Sequence, residues 1–210
     1  MSLLTAKKQH VKILYLTNPK AENLNQLPEF MRKYGDLVEI YYDKINSSFL
    51  EKSKPEFIVS DRYPFLFSED VMRILNGNIV NLHSSFLPWN KGYHSNFWSI
   101  YHDTPKGNTI HYVDKGIDTG DIAFQSEIFF SDEDTLKTTY YKLRANMVNL
   151  FFLNWLHIRN KKVKRKKQTE KGSIHYKKEF ERFFNLLLNG WDTQVKDIKK
   201  SISIIRDTNL

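Results

Sequence analysis

The alternation of short apolar segments with segments of helical periodicity limits the fold of this chain more than any other feature. Apolar segments of strand length occupy residues 11–17, 38–42 and 57–60. Apolar residues at helical spacing follow the first segment and end at Gly35, and a second helical segment ends at Pro55. Strands that alternate with helices pair in parallel and are covered by helices on both faces. We therefore predict an α/β fold with a Rossmann-like, mostly parallel twisted sheet.

The rest of the chain predicts one long helix and then a short C-terminal extension. An apolar stripe of helical spacing runs from Leu136 to Phe151, and residues 151–156 are apolar almost all round, which favours burial against the sheet or another subunit. A basic run follows at 161–167, which we interpret as a solvated face rather than a nucleic-acid patch. Two further apolar stripes are Phe180, Phe183, Phe184 and Leu187, and Val195, Ile198, Ile202 and Ile205. We predict an α/β domain over residues 1–156, a mainly helical extension over 157–210, and a homodimer.

Composition excludes several classes of protein. Cysteine is absent, which excludes disulfides and cysteine-bound metal centres and is compatible with the cytoplasm, where we expect the protein. No run approaches the roughly 18 apolar residues of a membrane-spanning helix, and the first residues lack a signal peptide's apolar segment. The net charge of +8 favours anionic partners, whether nucleic acid, a nucleoside diphosphate or a polyglutamylated folate. No Gly-x-Gly-x-x-Gly follows the first strand, so a dinucleotide cofactor is not expected.

The candidate site begins at a strand that ends in polar side chains. Residues 79–83 suit a short buried strand, and Pro88 and the turn at Gly92 follow it. Asn81 and His83 lie two residues apart, so they share one face of that strand. Open parallel sheets bind ligands at the carboxyl ends of their strands. We therefore expect both polar side chains to converge on one substrate.

A second strand, residues 108–113, runs into a loop with glycines at 116 and 120. Asp118 lies between these glycines, on backbone free enough to bend its carboxylate back over the crevice. Taken alone, each residue has an ordinary interpretation: a histidine at a strand end is more often structural than catalytic, and aspartate between glycines is common turn chemistry. Together, an amide, an imidazole and a carboxylate at the ends of two strands are what acyl transfer to an amine requires.

This chemistry gives each residue a role. His83 is the candidate general base, because its unperturbed pKa of about 6.5 lies near working pH. The amide of Asn81 can stabilise the developing oxyanion. Asp118 would orient His83, favour its imidazolium form or hold a water that relays the proton. The scheme requires no metal, and the seven histidines of the chain show no close ligand spacing, so no metal site is predicted.

These residues resemble the motif of the formyltransferases that use 10-formyltetrahydrofolate. In that family Asn-x-His is followed by Ser-x-x-Pro and later, after a strand with a histidine near its end, by Asp-x-Gly. The matching residues here are Asn81, His83, Ser85, Pro88, Asp118 and Gly120. The resemblance is clear over residues 57–130. Residues 87–92 and 95–100 look most like the branch that acts on nucleotide-linked amino sugars. Ser84 stands where many relatives carry proline and Lys91 where many carry arginine, and neither departure touches the Asn, His and Asp set.

The resemblance implies binding residues for two substrates. The loop after the third strand would receive the bicyclic ring of the folate, although its apolar side chains could instead only pack under the following helix. The candidate folate-binding residues are Arg62, Tyr63, Phe65, Leu66, Phe67 and Asp114. Aromatic groups beside a cationic side chain suit the base, the diphosphate and the sugar of a nucleotide sugar. The candidate residues for that substrate are Trp89, Asn90, Lys91, Tyr93, His94 and Asn96.

The expected function is formyl transfer from the co-substrate 10-formyltetrahydrofolate to the amine of a nucleotide-linked amino sugar. The resemblance favours a thymidine-diphosphate (dTDP) amino-dideoxyhexose and a place in surface polysaccharide (O-antigen) synthesis. Formylation of aminoacyl-tRNA is an alternative that the positive charge would suit, but relatives with that activity look longer and carry a second C-terminal barrel. Hydrolysis of formyltetrahydrofolate and a non-catalytic folate or nucleotide-binding module are further alternatives. We expect no membrane partner, and nucleic acid is a less favoured partner than a nucleotide sugar.

Overall fold

The computed structural model describes residues 10–21, 23 and 25–200 of the chain. The strands of this part are β1 (Lys12–Thr17), β2 (Leu37–Tyr41), β3 (Phe57–Asp61), β4 (Ile79–His83), β5 (Lys91–Gly92), β6 (Gly107–Tyr112), β7 (Ile122–Glu127) and β8 (Ile174–His175). The helices are α1 (Gln26–Lys33), α2 (Ser47–Ser53), α3 (Glu69–Leu75), α4 (Ser95–Tyr101), α5 (Leu136–Arg159) and α6 (Lys177–Phe184). A 3-10 turn follows at Gly190–Asp192.

Within the described residues, six strands form one sheet in the order β2-β1-β3-β4-β6-β7. The first four strands are parallel, whereas β6 runs antiparallel to β4 and β7 antiparallel to β6. The predicted α/β class with a mostly parallel sheet is therefore confirmed. The register places Asn81 opposite His111 and His83 opposite Thr109, so β6 ends at the edge where β4 begins.

Apolar side chains pack helices on both faces of this sheet. One face, with Phe57, Val80 and Ile110, packs against α1 and α5. The opposite face, with Leu14 and Ile58, packs against α2 and α3. Both layers therefore remove the strands from water, which is the main favourable term for such a fold.

Helix α5 is the long amphipathic helix that the sequence predicted, and it crosses the predicted domain boundary at residue 156. It begins with a capping box, in which Thr135 and Thr138 each accept a hydrogen bond from the other's backbone N–H at 3.1 and 2.8 Å. It is 24 residues long. In the described part of the chain, no helix combines the length and apolar character needed to cross a bilayer.

The C-terminal extension folds back onto helix α4. Phe180 of α6, together with Val195 and Ile198, is buried against Phe97 and Trp98 of α4. Strand β8 pairs in parallel with β5, so the extension also joins the segment that follows His83. Ile202 and Ile205 of the predicted second stripe lie outside the described residues.

Asp61, at the end of β3, ties the sheet to α5. Arg144 donates hydrogen bonds to the two carboxylate oxygens at 2.8 and 3.0 Å, and the Tyr15 hydroxyl donates a third at 2.6 Å. Burial alone would raise the pKa of Asp61, but Arg144 and Arg62 hold it below its ordinary value. Because the folded-state pKa is depressed, the contribution to stability is present at neutral pH and is lost as the pH falls through that pKa.

We expect Asp61→Asn to lower the free energy of unfolding by about 3 kcal/mol, because Arg144 then stays buried without its counterion. Urea denaturation followed by tryptophan fluorescence measures the change. Asp70→Asn is the matched control, since the Asp70–Arg73 pair is largely exposed and should contribute no more than about 0.5 kcal/mol. A loss in Asp61→Asn as small as that of the control would contradict the role of this ion pair.

Candidate active site

The two polar residues of β4 lie on one face of the sheet, as their spacing predicts. The hydroxyl of Ser60 on β3 donates to Asn81 Oδ1 at 2.9 Å, which fixes the orientation of the amide. Asn81 Nδ2 then lies 3.2 Å from Asp118 Oδ1 and 3.2 Å from His111 Nε2. The amide donors are thus turned toward the loop that carries Asp118.

Asp118 reaches this face by a route that the sequence did not predict. Because β6 is antiparallel to β4, its carboxyl end lies at the edge where β4 begins, so the expectation of two adjacent strand ends was wrong. Residues 113–121 instead double back to bring the carboxylate to Asn81 and His83. A Cβ at Gly120 would overlap the carbonyl oxygen of Tyr112, so glycine is required for this return path.

The Asp118 carboxylate is the centre of the site. The backbone N–H of Gly92 donates to Oδ2 at 2.8 Å, and His83 Nδ1 lies 3.5 Å from the same oxygen. Asn81 donates to Oδ1, and His111 Nε2 lies 3.3 Å from it. Burial alone would raise the pKa of Asp118, but His83, His111 and the Gly92 N–H bring it well below its ordinary value. The carboxylate is therefore ionised.

His83 is buried, with 8 % of its surface exposed. Its Nε2 lies 3.2 Å from the carbonyl oxygen of Asn90, an acceptor only, so Nε2 carries a proton and Nδ1 faces Asp118. Burial lowers the pKa of His83 below 6.5, the Asp118 charge acts in the opposite direction, and His111 and Lys91 lower it further. The ring is therefore neutral at pH 7, with Nδ1 free to accept a proton.

His111 is a site residue that the sequence analysis did not select. It lies opposite Asn81 on β6, and its Nδ1 donates to the carbonyl oxygen of Tyr112 at 2.9 Å. Nε2 is left to face the Asn81 amide and Asp118. Its place in the predicted strand was visible, but its role depends on strand register, which local sequence does not reveal.

The predicted folate loop divides into packed and exposed residues. Tyr63 donates to the carbonyl of Asp43 at 2.8 Å and accepts from the N–H of Ile45 at 3.0 Å, and Phe67 packs in the layer under α3. Phe65 and Leu66 are 38 % and 72 % exposed. The apolar surface available to a ligand is therefore that of Phe65 and Leu66.

The other two predicted folate residues have partners within the protein. Arg62 lies 3.3 Å from the carboxylate of Asp61. Asp114 Oδ1 accepts from the N–H of Gly116 at 3.0 Å and from the Thr119 hydroxyl at 2.6 Å. Asp114 thus shapes the loop that returns Asp118 to the site.

Two of the residues predicted for the nucleotide sugar have packing roles in this structure. Asn90 is fully buried and donates from its side chain to Thr104 Oγ1 at 2.7 Å, while its carbonyl accepts from His83. Asn96 donates to the carbonyl of Leu136 on α5 at 3.2 Å. The prediction that these amides face the substrate is therefore corrected: Asn90 holds His83, and Asn96 joins α4 to α5.

The remaining four residues lie along the segment that leaves the site. Lys91 is largely buried, and its Nζ donates to the carbonyl of Lys171 at 3.0 Å. Tyr93 is 38 % exposed, and the His94 ring packs at a tilt against that of Phe180, with 4.0 Å between the ring centroids. Burial lowers the pKa of His94 to about 4. Trp89, which precedes these residues in the sequence, is half-buried. The aromatic surface that a ligand can reach is therefore that of Trp89 and Tyr93.

We expect the pKa of His83 to lie below 6.5 in the free protein and to fall further in Asp118→Asn, because that change removes the charge that opposes burial. NMR titration of the imidazole signals, with His83→Gln used for assignment, measures both values. A His83 pKa above 6.5, or a rise in Asp118→Asn, would contradict this electrostatic description.

Comparisons with known proteins show the family of the chain. A family model described as formyl transferase matches residues 25–153. The solved formyltransferase PseJ from Anoxybacillus kamchatkensis, in complex with UDP-4,6-dideoxy-4-formamido-L-AltNAc and tetrahydrofolate, is 38 % identical with a TM-score of 0.83, over 89 % of this chain and 97 % of that chain. A 4-N formyltransferase from Francisella tularensis shares the fold at 22 % identity and a TM-score of 0.72, over 90 % of this chain and 86 % of that one.

Among curated proteins, the methionyl-tRNA formyltransferase of Clostridium tetani is 26 % identical over 76 % of this chain and 51 % of its own length. The bifunctional polymyxin resistance protein ArnA of Wigglesworthia glossinidia brevipalpis is 35 % identical over 50 % of this chain and 17 % of its own length. The chain thus spans about half the length of the first curated relative and less of the second. Since the family match covers more than half of the chain and includes Asn81, His83 and Asp118, the chain belongs to the formyl transferase family.

Proposed function

We propose that this protein transfers the formyl group of 10-formyltetrahydrofolate to the amino group of a nucleotide-linked amino sugar. The observation that carries the proposal is the cluster in which Asn81, His83 and His111 surround an ionised Asp118 at 3.2 to 3.5 Å. An amide donor, a neutral imidazole and a carboxylate supply an oxyanion contact, a base and its counterion. PseJ, whose length this chain matches almost fully, supports the sugar acceptor over others.

In the first step, the amine nitrogen of the acceptor attacks the formyl carbon and a carbon–nitrogen bond forms. The formyl oxygen becomes an oxyanion, to which Asn81 Nδ2 can turn one of the two N–H groups that now face Asp118 and His111. His83 Nδ1 accepts the proton that the amine loses. The resulting imidazolium lies against the Asp118 carboxylate, which stabilises its charge.

In the second step, the tetrahedral intermediate collapses and the bond from the formyl carbon to N10 of the folate breaks. N10 then needs a proton, and the His83 imidazolium holds the one that the amine released. The products are the formamido sugar and tetrahydrofolate, and both His83 and Asp118 return to their starting states. The reaction therefore consumes no further reactant.

The residues of the β3 end fit the folate co-substrate. Phe65 and Leu66 present apolar side chains on the loop that follows β3, the strand beside β4. A flat bicyclic ring needs apolar contact on its faces and backbone groups at its edge, and an irregular loop supplies both. We place the ring against these two residues, with the formyl group directed toward Asn81.

The nucleotide of the acceptor could be thymidine diphosphate or uridine diphosphate. The dTDP sugar expected from the sequence and the UDP sugar bound by PseJ differ in base and in ribose. Because PseJ shares 38 % identity over nearly its whole length, a UDP-linked 4-amino sugar is the first acceptor to test. We also propose that the protein is cytoplasmic, forms a homodimer and acts in surface polysaccharide synthesis.

A tRNA acceptor is the second candidate, because the methionyl-tRNA formyltransferase of Clostridium tetani matches 76 % of this chain. The side chain of Arg165, in the middle of the basic run, stacks on Tyr112 at 3.5 Å and donates to the carbonyl of Gly77. That arginine therefore has a partner within the protein. The charges left to meet a phosphate backbone are the exposed lysines of the run, Lys161, Lys162, Lys164, Lys166 and Lys167.

We expect the protein to formylate a UDP-linked 4-amino sugar with 10-formyltetrahydrofolate, and Asn81→Ala to lower kcat by about a hundredfold through loss of the oxyanion contact. Mass spectrometry of the sugar and absorbance of tetrahydrofolate measure the product. Replacing Lys162, Lys164 and Lys167 together by alanine should leave this rate unchanged. Formylation of methionyl-tRNA at a comparable rate, lost in the lysine variant, would overturn the sugar acceptor.

We also expect Phe65→Asp to weaken tetrahydrofolate binding by at least about tenfold, because burial of a phenyl ring against the ligand is lost. Isothermal titration calorimetry with tetrahydrofolate, and separately with the nucleotide sugar, measures the selectivity of the effect. Phe129→Asp is the control, since Phe129 is an exposed phenylalanine after β7. Equal weakening of both ligands in Phe65→Asp would show a general folding defect and remove Phe65 from the folate site.

A further inference from the structure

The segment 165–175, here called the strap, is fixed beside the loop that carries Asp118. Arg165 is held at its start by Tyr112 and Gly77. Lys166 then exchanges two backbone hydrogen bonds with Ile122 of β7, at 2.7 and 2.9 Å. This bridge anchors the strap to the strand that begins directly after the Asp118 loop.

Gln168 makes the next contact, which is with the backbone of the loop that carries Asp118. Its Nε2 donates to the carbonyl oxygen of Asp118 at 2.8 Å and to that of Gly120 at 2.9 Å. Both partners are acceptors only, so the amide nitrogen and its two hydrogens must face them. The two bonds clamp the backbone on either side of Thr119.

The far end of the strap holds the segment that follows His83. The Ser173 hydroxyl accepts from the N–H of Asn90 at 2.9 Å, and the carbonyl of Asn90 contacts His83. The N–H of Lys91 donates to the carbonyl of Ser173 at 2.9 Å. A Cβ at Gly172 would overlap the carbonyl of Pro88, which shows how closely the two segments approach. One strap therefore contacts the supports of both Asp118 and His83.

Asp118 needs such a support because of its backbone conformation. Its φ is +52°, in the left-handed region that residues other than glycine occupy at an energetic cost. A strained residue of this kind persists only where several surrounding contacts hold it in place. The carboxylate contacts fix the side chain, and Gln168 is the side chain that fixes the backbone carbonyl on the same residue.

We propose that Gln168 is a positioning residue that holds the Asp118 loop in the conformation that aims its carboxylate at His83. Gln168 acts through Asp118 and contacts neither substrate in this role. The activity arm of its test rests on the proposed formyl transfer. The electrostatic arm, which is the titration of His83, needs only the free protein. The positioning role of Gln168 and the proposed formyl transfer can therefore fail separately.

The electrostatic arm uses Gln168→Met, which keeps the bulk of the side chain and removes both donors. Groups that face His83 are Asp118 on the loop, His111 on β6, Lys91 on β5 and the carbonyl of Asn90. Of these, Asp118 is the anion whose position depends on Gln168. If the carboxylate moves away, the pKa of His83 falls, and NMR titration of its imidazole signals will show the shift.

The matched control is Gln194→Met, because that amide makes a surface contact with Glu133 at 3.4 Å. We expect it to leave the His83 titration and kcat unchanged. Gln168→Leu also removes both donors and adds no charge, so it should lower the pKa of His83 as Gln168→Met does. An unchanged His83 titration in both Gln168 variants, with folding confirmed by circular dichroism, would overturn the proposal.

The activity arm compares kcat and KM with the nucleotide sugar that proves to be the acceptor. We expect Gln168→Met to lower kcat by about tenfold to a hundredfold, as misplacement of a reacting group does, with KM for both substrates little changed. The acid limb of the kcat profile should move to lower pH together with the His83 titration. A fall in kcat accompanied by an equal rise in both KM values and an unmoved acid limb would show a merely structural role and overturn the proposal.

Discussion

A buried carboxylate must be surrounded by hydrogen-bond donors to remain ionised, and Asp118 imposes this requirement on the whole site. Its partners come from separate parts of the fold: Asn81 from β4, Gly92 from β5 and His111 from β6. Each partner must be delivered within hydrogen-bond reach at the same time. The parallel half of the sheet sets Asn81 and His83, and the reversal at β6 sets His111 opposite them. A neutral Asp118 could not stabilise an imidazolium at His83, so the proposed role of His83 as a base depends on this convergence.

Much of this arrangement could be predicted because it follows from local patterns. The alternation of strands and helices is visible in composition and spacing, and the period of two along a strand places Asn81 and His83 on one face. The sequence predicted that Asp118 lies near Asn81 and His83, but it did so by placing Asp118 at the end of a neighbouring strand, which the antiparallel pairing of β6 with β4 rules out. Strand direction depends on how the chain returns from α4 to the sheet, and residues 102–107 carry no local signal that distinguishes a parallel from an antiparallel return. For the same reason, the pairing of His111 with Asn81 could not be inferred before the register was known.

Buried amides are where sequence interpretation was least reliable. Asn90, Asn96 and Gln168 have the same functional group, and the sequence does not state whether that group meets a ligand or a backbone carbonyl. Asn90 and Asn96 lie in a motif-rich segment and were predicted to bind substrate, yet they bond within the protein. Gln168 lies in a polar segment directly after the basic run, yet it contacts the loop that carries Asp118. The amide nitrogens of all three residues donate hydrogen bonds within the protein, and their acceptors are set by tertiary structure.

The site consists of a buried polar network and of loops whose side chains are exposed. The groups to which the proposed reaction assigns proton transfer and charge are buried and bonded to one another, so substitution of one affects the others. Phe65 and Leu66, by contrast, are exposed on one loop, and Tyr93 is exposed on another. Lys91 contacts the strap twice, because its backbone N–H donates to the carbonyl of Ser173 and its ammonium group donates to the carbonyl of Lys171. Burial lowers the pKa of Lys91, and the Asp118 charge acts in the opposite direction. The backbone and the ammonium group of Lys91 thus hold the strap through separate atoms, so a change in the ammonium contact leaves the backbone contact in place.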